Sequence, residues 1–132
     1  MEMRQETDYV LHHAQKIIGI FAGMRALASQ LESRGHRVQY LHISDHDNTH
    51  SLEGNLKALI TKHQCTKLEY QEPDEWRLDQ QLSTLCQSLS IPSQMVSSEH
   101  FFTERLETAE LFKAQKQWLM ERFYRQMRTK HR

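Results

Sequence analysis

Two carboxylates, a phenol, two imidazoles and an ammonium fall within the eleven residues Glu6-Thr7-Asp8-Tyr9-Val10-Leu11-His12-His13-Ala14-Gln15-Lys16. Groups of these types serve two kinds of chemistry. Gathered where a helix N-terminus meets a ligand, they donate and accept hydrogen bonds at the mouth of a binding site. At a solvated turn they are ordinary capping residues. Local chemistry leaves both readings open. The other reactive side chains are more scattered. His42, Asp45, His46, Asp47 and His50 are competent metal ligands close in sequence, yet they show no paired spacing on a scaffold; their loop reads as the lining of a ligand crevice rather than a zinc site. Cys65 and Cys86 match no metal or redox spacing and read as small core residues in a reducing compartment. No nucleophile, base and orienting group recur in a recognisable order, so the chain shows no catalytic apparatus of its own.

The elements that must position these groups follow from hydrophobic periodicity. Ile17, Ile20, Phe21, Met24, Leu27, Ala28 and Leu31 share one wide helical face. That helix is expected from near His12 to Ser33, with Gly35 as its left-handed stop. Arg37 to Ile43 is rich in branched and aromatic residues and reads as a strand, followed by the polar loop Ser44 to Ser51. A second helix fits Leu52 to His63, and Lys67 to Tyr70 is a short strand ended by Pro73. Asp74 is a plausible N-cap for a third helix carrying Leu78, Leu82, Leu85 and Leu89. Ser93 to Val96 is a further strand, and a last helix is expected from Thr108 to Lys130. Strands alternating with helices predict a Rossmann-like three-layer α/β fold, with a mostly parallel sheet and helices on both faces. The chain opens on Met1-Glu2-Met3, barely half a strand, and contains neither a GxGxxG turn nor a P-loop. The first strand is therefore expected to be missing and the chain N-terminally incomplete.

With 132 residues the chain is long enough for one domain with a real core. Its 17 basic and 17 acidic residues cancel, so net charge argues neither for nor against nucleic acid. The charge is nonetheless segregated. Seven basic residues stand against Glu121 alone between Lys113 and Arg132, and Glu69, Glu72, Asp74, Glu75 and Asp79 form an acidic patch. No apolar run reaches membrane-spanning length and nothing reads as a signal peptide, which points to the cytoplasm and away from a membrane. Trp76 is expected to pack across the sheet edge, with an exposed Trp76–Arg77 contact anchor as the alternative. Trp118, Phe123, Tyr124 and Met127 cannot all pack on one small core, while Arg122, Arg125 and Arg128 recur every three residues. This face suits docking of a partner domain better than phosphate contact.

The segments YVLHHAQKI, MRALASQLESRGHRVQYLHISD, DNTHSL, EPDEWR and MERFYRQMR occur in that order. Through them the chain, from about Glu2 to Arg132, resembles the N-terminal α/β domain of the deoxyribodipyrimidine photolyase-related proteins. These are the iron–sulfur bacterial branch of the photolyase–cryptochrome family. The resemblance implies FAD and a four-iron cluster in a helical C-terminal domain absent here. It also implies an antenna chromophore, 6,7-dimethyl-8-ribityllumazine, that passes excitation energy to the flavin. Glu6 and Tyr9 match the family's antenna-pocket residues, Lys16 and Ile20 match positions facing the same cavity, and His12 and His13 match its His–His pair at the helix entrance. The family's first strand, with its Gly-Asp-Gln signature, has no counterpart. Ala26 stands where histidine is usual, Asp74 replaces the glycine of Glu-Pro-Gly-Glu-Trp-Arg, and Gln115 stands where arginine is usual.

The resemblance divides the chain into an antenna domain over residues 1–107 and a basic, aromatic-rich helix over 108–132 leading toward the FAD-binding domain. It implies light harvesting for DNA photorepair or blue-light sensing by a full-length protein, with no catalysis by this chain alone. The expected partners are the FAD-binding domain or a second copy, with DNA reached only through the full-length protein. The expected docking residues are Trp76, Arg77, Trp118, Phe123, Tyr124, Arg125 and Arg128. Two other classes remain open: an interaction module pairing through an exposed sheet edge, and a nucleic-acid-binding fragment using the basic C-terminal helix.

Overall fold

A computed structural model describes residues 1–114 and 116–131. Backbone contacts divide the chain into two compact units, Met1–Thr66 and Lys67–Arg132. Among the described residues the architecture is mixed α/β, with five α-helices and a two-stranded parallel sheet, as in a Rossmann-like domain. The expected departure of Gln115 from the family pattern lies outside the described residues, as does Arg132 of the basic segment.

The first unit begins with an extended segment and a 3-10 turn over Arg4–Glu6. Helix α1, Ala14–Ser33, is capped by His13, whose Nδ1 accepts the Gln15 backbone N–H at 3.2 Å. Gly35, at φ 87°, supplies the left-handed stop that its position after the periodic run predicts. Helix α2, Leu52–Lys62, is capped by Ser51, whose hydroxyl accepts the Gly54 N–H at 3.1 Å. Arg37 to Ile43 is not a strand. Its backbone meets the N-terminal segment through the Glu2 N–H to Leu41 carbonyl bond at 2.8 Å, and a β-propensity without a continuing ladder leaves irregular backbone.

The core of this unit is unusually polar. Glu2, Met3, Leu41, Asn48, Leu52 and Asn55 are its buried residues. Asn55 donates to Asn48 Oδ1 at 3.0 Å and accepts from the Thr49 amide and hydroxyl at 2.8 and 2.9 Å. Asn48 in turn donates to the carbonyls of Glu2 at 2.6 Å and His42 at 2.8 Å. Each buried amide is thus satisfied, as burial demands. Of the polar loop, Asn48 and Thr49 fold inward to build this network, while Asp47 lines a cavity of about 230 Å³ with Leu41, Asn55, Ala58, Leu59 and Lys62.

The second unit contains a βαβ arrangement. Strands β1, Leu68–Gln71, and β2, Ser93–Val96, pair in parallel from Leu68 opposite Ser93 to Gln71 opposite Val96. Flanking bonds extend the ladder, Leu68 N–H to Pro92 at 3.0 Å and Glu72 N–H to Val96 at 2.8 Å. Helix α3, Trp76–Ser88, connects them and buries Leu82 and Leu85. Its N-cap is Glu75, whose side chain makes no capping bond to the helix, rather than Asp74. Asp74 instead meets His100 Nδ1 at 2.7 Å, joining the loop after β1 to the loop after β2. Arg105 reinforces that junction through Glu72 at 2.5 Å and Asp79 at 2.9 Å.

The expected C-terminal helix is two helices, α4 at Glu107–Phe112 and α5 at Met120–Lys130. The break has a packing reason. In one straight helix Trp118 would lie about 240° around the axis from Phe112. The chain instead turns so that the two rings stack with centroids 5.7 Å apart.

Candidate functional site

Glu6, Tyr9, Lys16 and Ile20 come together. All four line one cavity of about 230 Å³ in the first unit, completed by Met1, Met3, Thr7, His12, Ile17, Phe21 and Met24. Two elements build it. The turn from Arg4 and the segment after it bring up Glu6, Thr7 and Tyr9, and the first turns of α1 supply Lys16, Ile17, Ile20, Phe21 and Met24. The helical face expected to be core thus forms the apolar floor. No residue of α1 is fully buried, and Ile20 remains half exposed.

Its polar groups are organised around His12. The Lys16 ammonium lies 3.2 Å from His12 Nδ1, and the Tyr9 ring meets the imidazole edge-on at 5.1 Å. The Glu6 carboxylate accepts from the Gln5 amide at 3.3 Å. The rim therefore offers a carboxylate acceptor, a phenol and an ammonium donor above an aliphatic and aromatic floor. That combination suits a planar, hydrogen-bonding heterocycle.

What fixes α1 against the N-terminal segment is a residue the sequence reading passed over. Glu2 is fully buried and accepts two parallel bonds from Arg25, at 2.6 and 2.9 Å. Tyr40 hydroxyl and the Ile43 amide complete the cage, each at 2.9 Å. The Arg25 hydrogen bond is the largest cause holding the Glu2 carboxyl down at about 2, with the Ile43 and Tyr40 bonds adding to it against the opposing effect of burial. Burial, and then Glu2, push the Tyr40 phenol up. Met3, next to Glu2, lines the pocket, so this cage sets the distance between its two walls.

The expected docking residues are less unified. Trp76 is 75 % exposed and does not pack across the sheet edge. Arg77 forks onto its neighbour Glu75 at 3.0 and 3.3 Å. Trp118 is exposed apart from its stack on Phe112, and Arg125 pairs with Glu121 at 2.5 Å. Phe123, Tyr124 and Arg128 do converge, on an apolar groove of about 670 Å³ with Phe101, Phe102 and Met127. The Phe101–Phe102 doublet, outside any periodic run, was its unread signal. Among the described residues no cluster of three or more His, Cys, Asp or Glu could hold a metal ion, and no helix is long and apolar enough to cross a membrane.

The family described as deoxyribodipyrimidine photo-lyase-related protein matches residues 1–132. A (6-4) photolyase of Agrobacterium fabrum (strain C58 / ATCC 33970) is 34% identical over 129 residues, which cover 98% of this chain and 25% of that one. The chain thus spans about a quarter of the length of the curated relative it matches. Motifs, fold and comparison agree: the chain belongs to the deoxyribodipyrimidine photolyase-related family.

Proposed function

We propose that the first unit is the antenna-chromophore pocket of a photolyase-related flavoprotein, binding 6,7-dimethyl-8-ribityllumazine for light harvesting. The observation that carries this reading is the convergence of Glu6, Tyr9, Lys16 and Ile20, far from adjacent in kind, on one cavity. The donor set fits the group. Lys16 can donate to ring carbonyls, Glu6 can accept from a ribityl hydroxyl or a ring N–H, and Ile17, Ile20 and Phe21 offer a flat apolar contact. At about 230 Å³ the cavity is smaller than sites that enclose a whole drug-sized ligand, so it holds one face of the bicyclic ring.

In this reading the chromophore, when bound, absorbs light and transfers excitation energy, while the chain binds and orients it without making or breaking bonds. FAD and the iron–sulfur cluster belong to the rest of a longer protein, which performs DNA photorepair or blue-light sensing in the cytoplasm. The groove of Phe101, Phe123, Tyr124 and Arg128 would receive that FAD-binding part, or a second copy. Titrating the purified chain with 6,7-dimethyl-8-ribityllumazine tests the pocket. A shift in the ligand's absorption with quenched or shifted fluorescence is expected; no spectral change up to millimolar ligand overturns the reading.

A further inference from the structure

We propose that His12 is a positioning residue of this pocket: as a neutral imidazole it holds the Lys16 ammonium at the rim for a carbonyl-bearing planar ligand, and its protonation releases that ammonium and weakens binding. The ligand's identity rests on the antenna reading above; the device itself rests on geometry. Lys16 Nζ and His12 Nδ1 are 3.2 Å apart. An ammonium carries only donors, so this bond requires a lone pair on Nδ1 and therefore a neutral ring. Tyr9 meets the same ring edge-on, with centroids 5.1 Å apart at 73°. All three residues line the same cavity.

With one N–H given to His12, Lys16 keeps two for ligand oxygens. Protonation of His12 turns that attraction into repulsion between two cations four residues apart. It does so at the N-terminus of α1, where the helix field already opposes positive charge. The other titratable residues lining the cavity are Met1, Glu6, Tyr9 and Lys16, with Asp8 and His13 adjacent in sequence. His13 must likewise keep Nδ1 unprotonated to cap Gln15. Imidazole is the side chain whose charge ordinarily changes between about pH 5 and 8.

The test uses the full chain and two readouts, with His12→Gln as the variant, because its amide oxygen can still accept from Lys16 but cannot gain a proton. Without ligand, the Lys16 ε-methylene NMR resonance is followed from about pH 8 to about pH 5.5. It should track His12 protonation in the wild type and stay flat in His12→Gln. With 6,7-dimethyl-8-ribityllumazine, wild-type affinity by fluorescence should fall about three- to tenfold between about pH 7.5 and about pH 5.5, and the variant's should not. Equal pH slopes in the two proteins, with circular dichroism showing both folded, overturn the proposal. So does a Lys16 resonance that ignores His12. Should lumazine bind neither protein at any pH while Lys16 still tracks His12, the chromophore reading falls, and the gate on binding falls with it. Bound lumazine with an unresponsive Lys16 removes the His12 device alone.

Discussion

Arg25 grips the fully buried carboxylate of Glu2 through two hydrogen bonds, 2.6 Å from Nε and 2.9 Å from Nη2, while its own side chain stays half exposed. The pair is bidentate, which is the strong geometry for this contact. Because Arg25 belongs to α1 and Glu2 to the extended N-terminal segment, it joins the two walls of the pocket.

The carboxyl of Glu2 is held at about 2 in the folded chain, below its ordinary 4.5. A depressed carboxyl stabilises the fold above its unfolded value, and that contribution is lost as pH falls through the folded one. Unfolding free energy should therefore drop between about pH 4.5 and about pH 2, by on the order of 3 kcal/mol from this group. Denaturant melts at stepped pH measure it. Glu2→Gln should be less stable at neutral pH and show a shallower acid slope; an unchanged slope refutes the assignment.

Arg25→Leu leaves the buried carboxylate with the hydrogen bonds of Tyr40 and the Ile43 amide, and with His42 Nδ1 3.9 Å away. An uncompensated buried charge costs more than a lost neutral hydrogen bond. Its melting temperature should fall further than that of Tyr40→Phe, which removes one bond for about 1 kcal/mol. A double-mutant cycle between Arg25 and Glu2 should show positive coupling, since the two changes remove one shared interaction.

Gly54→Ala should destabilise the first unit although alanine is the better helix former. A Cβ there would sit 2.5 Å from Thr49 Oγ1 and 2.8 Å from Ser51 Oγ. Ser51 caps α2 and Thr49 bonds Asn55, so neither can retreat without breaking a contact. The expected loss is about 1–3 kcal/mol by thermal or denaturant unfolding. A gain in stability would show that the loop yields freely.

Ile20→Glu should abolish lumazine binding while leaving the melting temperature within about 2 °C, because a half-exposed side chain contributes little to the fold. Fluorescence titration and thermal melts on the same samples separate the two effects. Retained affinity would place the ligand elsewhere.

The helices were legible wherever one face repeated. α1, α2 and α3 follow the spacing of Ile17 to Leu31, Leu52 to Ile60 and Leu78 to Leu85, and Gly35 marks its stop by the φ of 87° it adopts. The strands β1 and β2 were legible as short runs, the first ended by Pro73. Arg37 to Ile43 was misread because propensity cannot announce whether a ladder partner is present. The C-terminal helix was misread because its amphipathic period carries from Phe112 through Leu119 to Phe123 and Met127, and only the Phe112–Trp118 ring stack reveals the turn. The pocket residues were reached through family motifs rather than through spacing. Glu2 was invisible, since a buried charge is defined by distant partners and leaves no local pattern.

Those distant partners also set the order in which the first unit can form. Glu2 is separated in sequence by 23 residues from Arg25, 38 from Tyr40, 41 from Ile43 and 46 from Asn48. The turns of α1 and α2 close over three or four residues and need no such search. Loop closure must precede each of these Glu2 bonds, so they come after the helices they join. In φ-value terms Glu2 is a late position: weakening it should quicken unfolding and leave the folding rate nearly untouched. The carboxylate that ties the pocket together is therefore a latch, closed last and opened first.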